Sequence, residues 1–112
     1  MIDRAEFQEA FRYYDRKVII EIIDLFLETY KPLLDNLQKS ISAGDVEKVI
    51  MHAHSLKGLA GTFIAPGPCS IAASLEEKAT KNERSDFTAL FSRLEPSIEE
   101  MAGELRDIRN QI

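Results

Sequence analysis

Two histidines stand two residues apart in HAHSLKGLAGTF (residues 52–63), followed by one lysine and two glycines. Neutral imidazole is a nucleophile that needs no general base, unlike a hydroxyl. With an ordinary pKa near 6.5, an exposed histidine is about 90% neutral at pH 7.5. A lysine one turn further on can balance negative charge carried to that ring. The chemistry on offer is therefore that of a nucleophilic imidazole with a cation beside it. Metal binding fits poorly, because His52 and His54 are two residues apart and point to different faces of a helix. The chain has no nucleotide-binding glycine loop, so it should not phosphorylate itself from ATP.

Helix geometry separates the histidines. At about 100° per residue, Val49, Ala53, Leu56, Ala60 and Phe63 fall within about 80° of one another and form a buried face. His52 lies about 60° from the centre of that cluster, at its border. His54 lies about 130° away, and Gly58, Gly61 and Ala65 fall within about 40° of it. Met51 is on the same side, Lys57 is on the flank nearer the core, and Glu47 reads as a solvated neighbour. A solvated helix face usually carries Glu, Lys and Gln, whereas this one carries a histidine, a lysine and very small residues. Each mid-helix glycine costs about 1 kcal/mol relative to alanine. We read that cost as clearance that lets another protein's surface approach His54. The competing reading is plain: His54 is an ordinary surface residue and the glycines serve helix–helix packing. Met51 and Ile50 suit adaptable apolar docking, although Ile50 could equally be half-buried against a neighbouring helix.

The elements that must position these residues are all helical. Phe7, Phe11 and Tyr14 mark a short first helix after a capping Asp3. Ile19, Ile23, Phe26, Tyr30, Leu33, Leu37 and Ile41 predict a helix of about six turns, ended by Ala43-Gly44-Asp45 and kinked at Pro32. Asp45 caps the third helix, which Pro66-Gly67-Pro68 stops. Gly67 then caps a fourth, with Pro68 in its first turn and Ile71, Leu75 and Ala79 facing inward. A polar loop, KNERSD, leads to Ser85 as the cap of a last helix. That helix carries Phe87, Leu90, Phe91, Leu94, Ile98, Met101, Leu105 and Ile108 on one stripe and bends at Pro96. No strand-like alternation and no internal repeat is present. The expectation is an all-α fold: an antiparallel up-down four-helix bundle with a short extra N-terminal helix, one domain over residues 1–112.

Composition bounds the function. At 112 residues, 45% hydrophobic and 29% charged, the chain has room for one core. A net charge of −5 argues against a nucleic-acid binder. No apolar run is long enough to insert in a membrane. The start MIDRAEF lacks a signal-peptide pattern, so the expected location is cytoplasmic. The single Cys69 makes no internal disulfide and reads as a small buried residue.

AHSLKGLAGTF resembles the His-x-x-Lys-Gly core of histidine-containing phosphotransfer (HPt) domains. LFLETYKPLLDNLQKSISAGDVEKV and ASLEEKA resemble the segments before and after it, so most of the chain is covered. The resemblance implies a four-helix bundle that takes a phosphoryl group on a histidine from a receiver-domain aspartate and passes it to another receiver. His54 matches the acceptor, Lys57 and Gly58 the motif's lysine and glycine, and Ala53 and Leu56 its apolar neighbours. It further implies phosphorylation on Nε2, and Mg²⁺ supplied by the receiver rather than by a cofactor of this chain. Many members have glycine ten residues after the histidine. Here that position is Ile64, pointing toward the core side, with Pro66-Gly67-Pro68 expected to supply the turn.

The leading reading is a monomeric phosphocarrier whose partners are receiver domains, with His54 as acceptor, Lys57 as stabiliser, and Gly58, Gly61, Met51, Ile50 and Ala65 as docking surface. Two other readings share the fold: a non-catalytic helical adaptor, and the phosphorylated module of a chemotaxis-type kinase.

Overall fold

A computed structural model describes residues 2–112. It contains α1 (Arg4–Ala10), α2 (Arg16–Ala43), α3 (Val46–Thr62), α4 (Pro66–Thr80), a 3₁₀ turn (Arg84–Asp86) and α5 (Phe87–Gln111). Short connections force successive long helices antiparallel. Helix α2 packs on α3 and α5, and α4 packs on the same two, which closes a four-helix bundle. The all-α up-down bundle with an extra N-terminal helix is what the periodicity predicts.

The core follows the sequence stripes. Ile23, Phe26, Tyr30 and Leu37 of α2 meet Val49, Ala53, Leu56 and Ala60 of α3 and Leu94, Ile98, Met101 and Leu105 of α5, all at most 1% exposed. The buried Tyr30 hydroxyl donates to Glu99 Oε2 (3.0 Å) and accepts from Arg106 (3.2 Å), so its burial leaves no polar atom unpaired. Helix α1 covers one end of the bundle, where Phe7 and Phe11 each lie 6.5 Å from Phe63, centroid to centroid. The most extensive packing is between α3 and α4. Small side chains permit it: Ala53 and Ala60 of α3 and Ala72 and Ala79 of α4 are all buried, and alanine lets two helix axes approach.

Asp3 and Asp45 cap as expected, accepting from Glu6 N (3.0 Å) and Lys48 N (3.2 Å). Other expectations need correction. Helix α2 is longer than six turns, at 28 residues, with Pro32 inside it as expected. Phe11 and Tyr14 lie beyond the end of α1. The cap of α4 is Ala65, not Gly67, and Pro66 rather than Pro68 opens the helix. A proline opening a helix loses nothing, since the first N–H groups have no intrahelical acceptor. The inward stripe of α4 is Pro68, Ala72, Leu75 and Ala79, which leaves Ile71 only half-buried. Ser85 does not cap α5; it lies in the 3₁₀ turn that runs straight into that helix.

Three helix ends share one device. After α2, Gly44 N donates to Ile41 O and Asp45 N to Ser40 O. After α3, Ile64 N donates to Gly61 O and Ala65 N to Ala60 O. After α4, Asn82 N donates to Ala79 O and Glu83 N to Lys78 O. This paired closure needs a left-handed residue, and Gly44, Ile64 and Asn82 have φ of 69°, 56° and 58°. Glycine and asparagine tolerate that region; a β-branched isoleucine does not. The turn after α3 is therefore made by Ile64 itself, not by Pro66-Gly67-Pro68.

Candidate functional site

The centre of the outer face of α3 carries the candidate residues. His54 is exposed, with 66% of its side chain accessible. Its Nδ1 lies 2.7 Å from Glu76 Oε2, and the other oxygen, Oε1, accepts from Lys57 Nζ at 2.5 Å. Glu76 comes from the middle of α4. It reaches α3 because the alanine-lined contact holds the two helices close. One carboxylate thus holds both candidate side chains of α3.

The electrostatics fix the tautomer. The hydrogen bond from Lys57 lowers the Glu76 pKa; burial opposes this, and the bond from His54 adds to the lowering. Glu76 is therefore ionised at neutral pH and can only accept. It follows that Nδ1 of His54 carries the hydrogen and donates it. In the neutral ring the lone pair then sits on Nε2, the nitrogen away from Glu76. The arrangement presents an oriented nucleophile to solvent with a cation one turn away.

The small residues leave open space on this face. Gly58 and Gly61 are exposed. A Cβ built on either meets nothing within 4 Å, so the helix-packing reading of these glycines fails. Met51 is 54% exposed on the same outer face. Of the expected docking residues, Ala65 is corrected, and Ile50 takes the half-buried place that the sequence left open. Ala65 is buried at 1% exposure, because α3 ends at Thr62 and the helical periodicity used to place it does not extend that far. Ile50 is half-buried and packs against the core. Glu76 was missed in the sequence. The signal was faint: it adjoins the inward Leu75, but Glu77 is equally acidic, and only the register of α4 on α3 tells them apart.

The sequence model of the Hpt domain family matches residues 21–111. The chain belongs to that family, and its role is histidine phosphotransfer in two-component phosphorelays. A similar solved structure is histidine-containing phosphotransfer protein B (HptB) from Pseudomonas aeruginosa PAO1. It is 24% identical with a TM-score of 0.84, over 98% of this chain and 94% of that one, a likeness of fold. No curated protein sequence matches the chain. No helix among the described residues is long and apolar enough to cross a membrane.

Proposed function

We propose that His54 Nε2 is the phosphoryl acceptor, that Lys57 stabilises the transferred group, and that Glu76 positions the ring. The observation that carries this is the single carboxylate bound to both His54 Nδ1 and Lys57 Nζ. The Nε2 lone pair attacks the phosphorus of a receiver's aspartyl phosphate in line. An N–P bond forms, the P–O bond breaks, and its electron pair returns to the aspartate carboxylate. No proton has to move: Nδ1 keeps its hydrogen, and the positive charge now on the ring faces ionised Glu76. Onward transfer to a second receiver is the same step reversed. Lys57 offsets part of the phosphoryl charge by sharing its ammonium between Glu76 and the new oxygens.

The chain acts as a carrier without ATP-dependent kinase activity of its own, as a cytoplasmic monomer. Mg²⁺ belongs to the receiver's site. The donors here are one imidazole and one carboxylate already engaged by a lysine, and they do not form a metal site.

Transfer of labelled phosphate from a phosphorylated receiver tests the assignment. His54→Gln should accept no label and keep its circular dichroism spectrum, because the side chain faces solvent. His52→Gln should accept label at close to the wild-type rate. Label lost in the folded His52 variant and kept in the His54 variant would move the acceptor to His52.

A further inference from the structure

Two grooves flank His54, and the charged residues that line them differ in sign. Toward the N-terminus of α3, on the α2 flank, a groove is lined by Asn36, Lys39, Ser40, Lys48, Met51 and His52. Its charged residues are lysines. Lys39 forms no ion pair among the described residues, and Lys48 meets Asp45 only at 3.9 Å with both side chains well exposed. Toward the C-terminus of α3, on the α4 flank, a second groove is lined by Asp3, Glu6, Gly61, Ile64, Pro66 and Cys69, among others. Its charged residues are both carboxylates, and neither joins an ion pair among the described residues. Between the grooves the crest of α3 exposes Met51, Ser55, Gly58 and Thr62, all uncharged.

The two grooves lie about 18 Å apart at 1.5 Å per residue, diagonally across α3. A standard protein interface of about 800 Å² per partner is roughly 30 Å across, so one partner centred on His54 covers both. At one end of that footprint Lys39 and Lys48 line the groove, with Asp45 and the exposed Glu47 beside them; at the other end Asp3 and Glu6 have no cation beside them in the groove lining. Charges at the rim of an interface set register and encounter rate more than final affinity.

Resting on the assignment of His54 as acceptor, we propose that these grooves fix the rotational orientation in which a receiver docks. The fitting partner presents acidic side chains to Lys39 and Lys48 and a basic one to Asp3 and Glu6. Its aspartyl phosphate then falls over His54 in one register instead of several. The grooves select among receivers by charge pattern, while the uncharged crest permits close approach by any of them.

The test uses a receiver domain that labels the wild-type chain, followed at about 50 mM and about 0.5 M salt. Lys39→Glu/Lys48→Glu should lower kcat/KM about ten-fold at low salt, through KM, with kcat retained. At high salt the loss should shrink to within about two-fold, because the charges are screened. Glu6→Lys should show the same pattern more weakly, and Lys39→Gln/Lys48→Gln an intermediate loss. Thermal unfolding of each variant controls for folding. An unchanged or raised kcat/KM at low salt, a fall in kcat, or a loss that persists at high salt would each overturn the orienting role. His54→Gln, run alongside, keeps the two claims apart. If it still takes phosphate, the acceptor assignment fails; if it does not while the lysine reversal is silent, only the docking orientation fails.

Discussion

At the residue scale the proposed functional unit is a triad: Glu76 bonds His54 Nδ1 and Lys57 Nζ, and in the proposed mechanism it leaves Nε2 of His54 as the nitrogen free to take the phosphoryl group. Removing it with Glu76→Ala releases the ring and Lys57 together. Acceptance should then slow by about ten-fold or more, the usual size of losing a group that orients a histidine. Glu76→Gln should retain more activity, because an amide oxygen can still accept from Nδ1. Equal rates for the two variants in a single-turnover transfer assay would remove the orienting role. Lys57→Ala should slow transfer by about one to two orders of magnitude without abolishing it, since imidazole is already nucleophilic. A wild-type rate for that variant at low and moderate salt would reassign Lys57 to the surface. His54 and Lys57 were legible because both lie on one helix, where spacing alone gives the face. Glu76 was not, because it is 22 residues from His54 in another helix. Its place depends on how far α4 slides along α3, and the small alanines that set this carry no strong pattern.

At the element scale, backbone conformation separates two kinds of glycine. Gly58 and Gly61 are helical and open, so alanine there should raise stability by up to about 1 kcal/mol. Gly44 has φ of 69°, and Gly44→Ala should destabilise by about 1 kcal/mol or more. Position 64 gives a sharper contrast. Ile64 combines left-handed strain of about 1–2 kcal/mol with the benefit of half-burying its side chain. Ile64→Gly removes both and should change stability little. Ile64→Ala removes the burial and keeps the strain, so it should fall below the glycine variant by about 1 kcal/mol. The order is thus glycine above alanine at 64 and alanine above glycine at 58, read by chemical denaturation of Ile64→Gly, Ile64→Ala, Gly58→Ala and the wild type. The same order at both sites would contradict the left-handed turn. Function should run against stability on α3: Gly58→Gln should melt no lower than wild type yet transfer more slowly, by crowding the approach to His54. A lower melting point would place that glycine in a helix contact after all. The apolar stripes of α2, α3 and α5 were legible because their period is that of a buried helix face. The α3–α4 turn was not, since prolines and glycine at 66–68 look like a turn. The turn in fact falls on an isoleucine whose type gives no hint of a left-handed backbone.

At the scale of the whole molecule, acid should loosen the bundle in a defined window. The Glu76 carboxyl is held below its ordinary value of 4.5 by Lys57, with His54 adding to the effect. The Asp24 carboxyl, bonded to Arg109 across α2 and α5, is held below its ordinary 3.8. A carboxyl with a lowered folded-state pKa contributes stability that is complete above its unfolded value and is lost as pH falls through the folded one. Stability should therefore hold level with respect to these groups above about pH 5 and decline below about pH 4.5. Glu76→Gln should flatten part of that decline, as followed by thermal unfolding between pH 3 and 7. A decline identical in slope to wild type would mean that Glu76 does not couple to folding.

The central claim is that one oriented nitrogen of one histidine carries the phosphate. Long-range ¹H–¹⁵N correlation of the imidazole nitrogens, recorded before and after phosphorylation by a receiver, reads this directly. Nδ1 of His54 should be protonated in both states and the phosphate should sit on Nε2, with His52 unchanged. Phosphate on Nδ1 of His54, on His52, or on no histidine at all would contradict it.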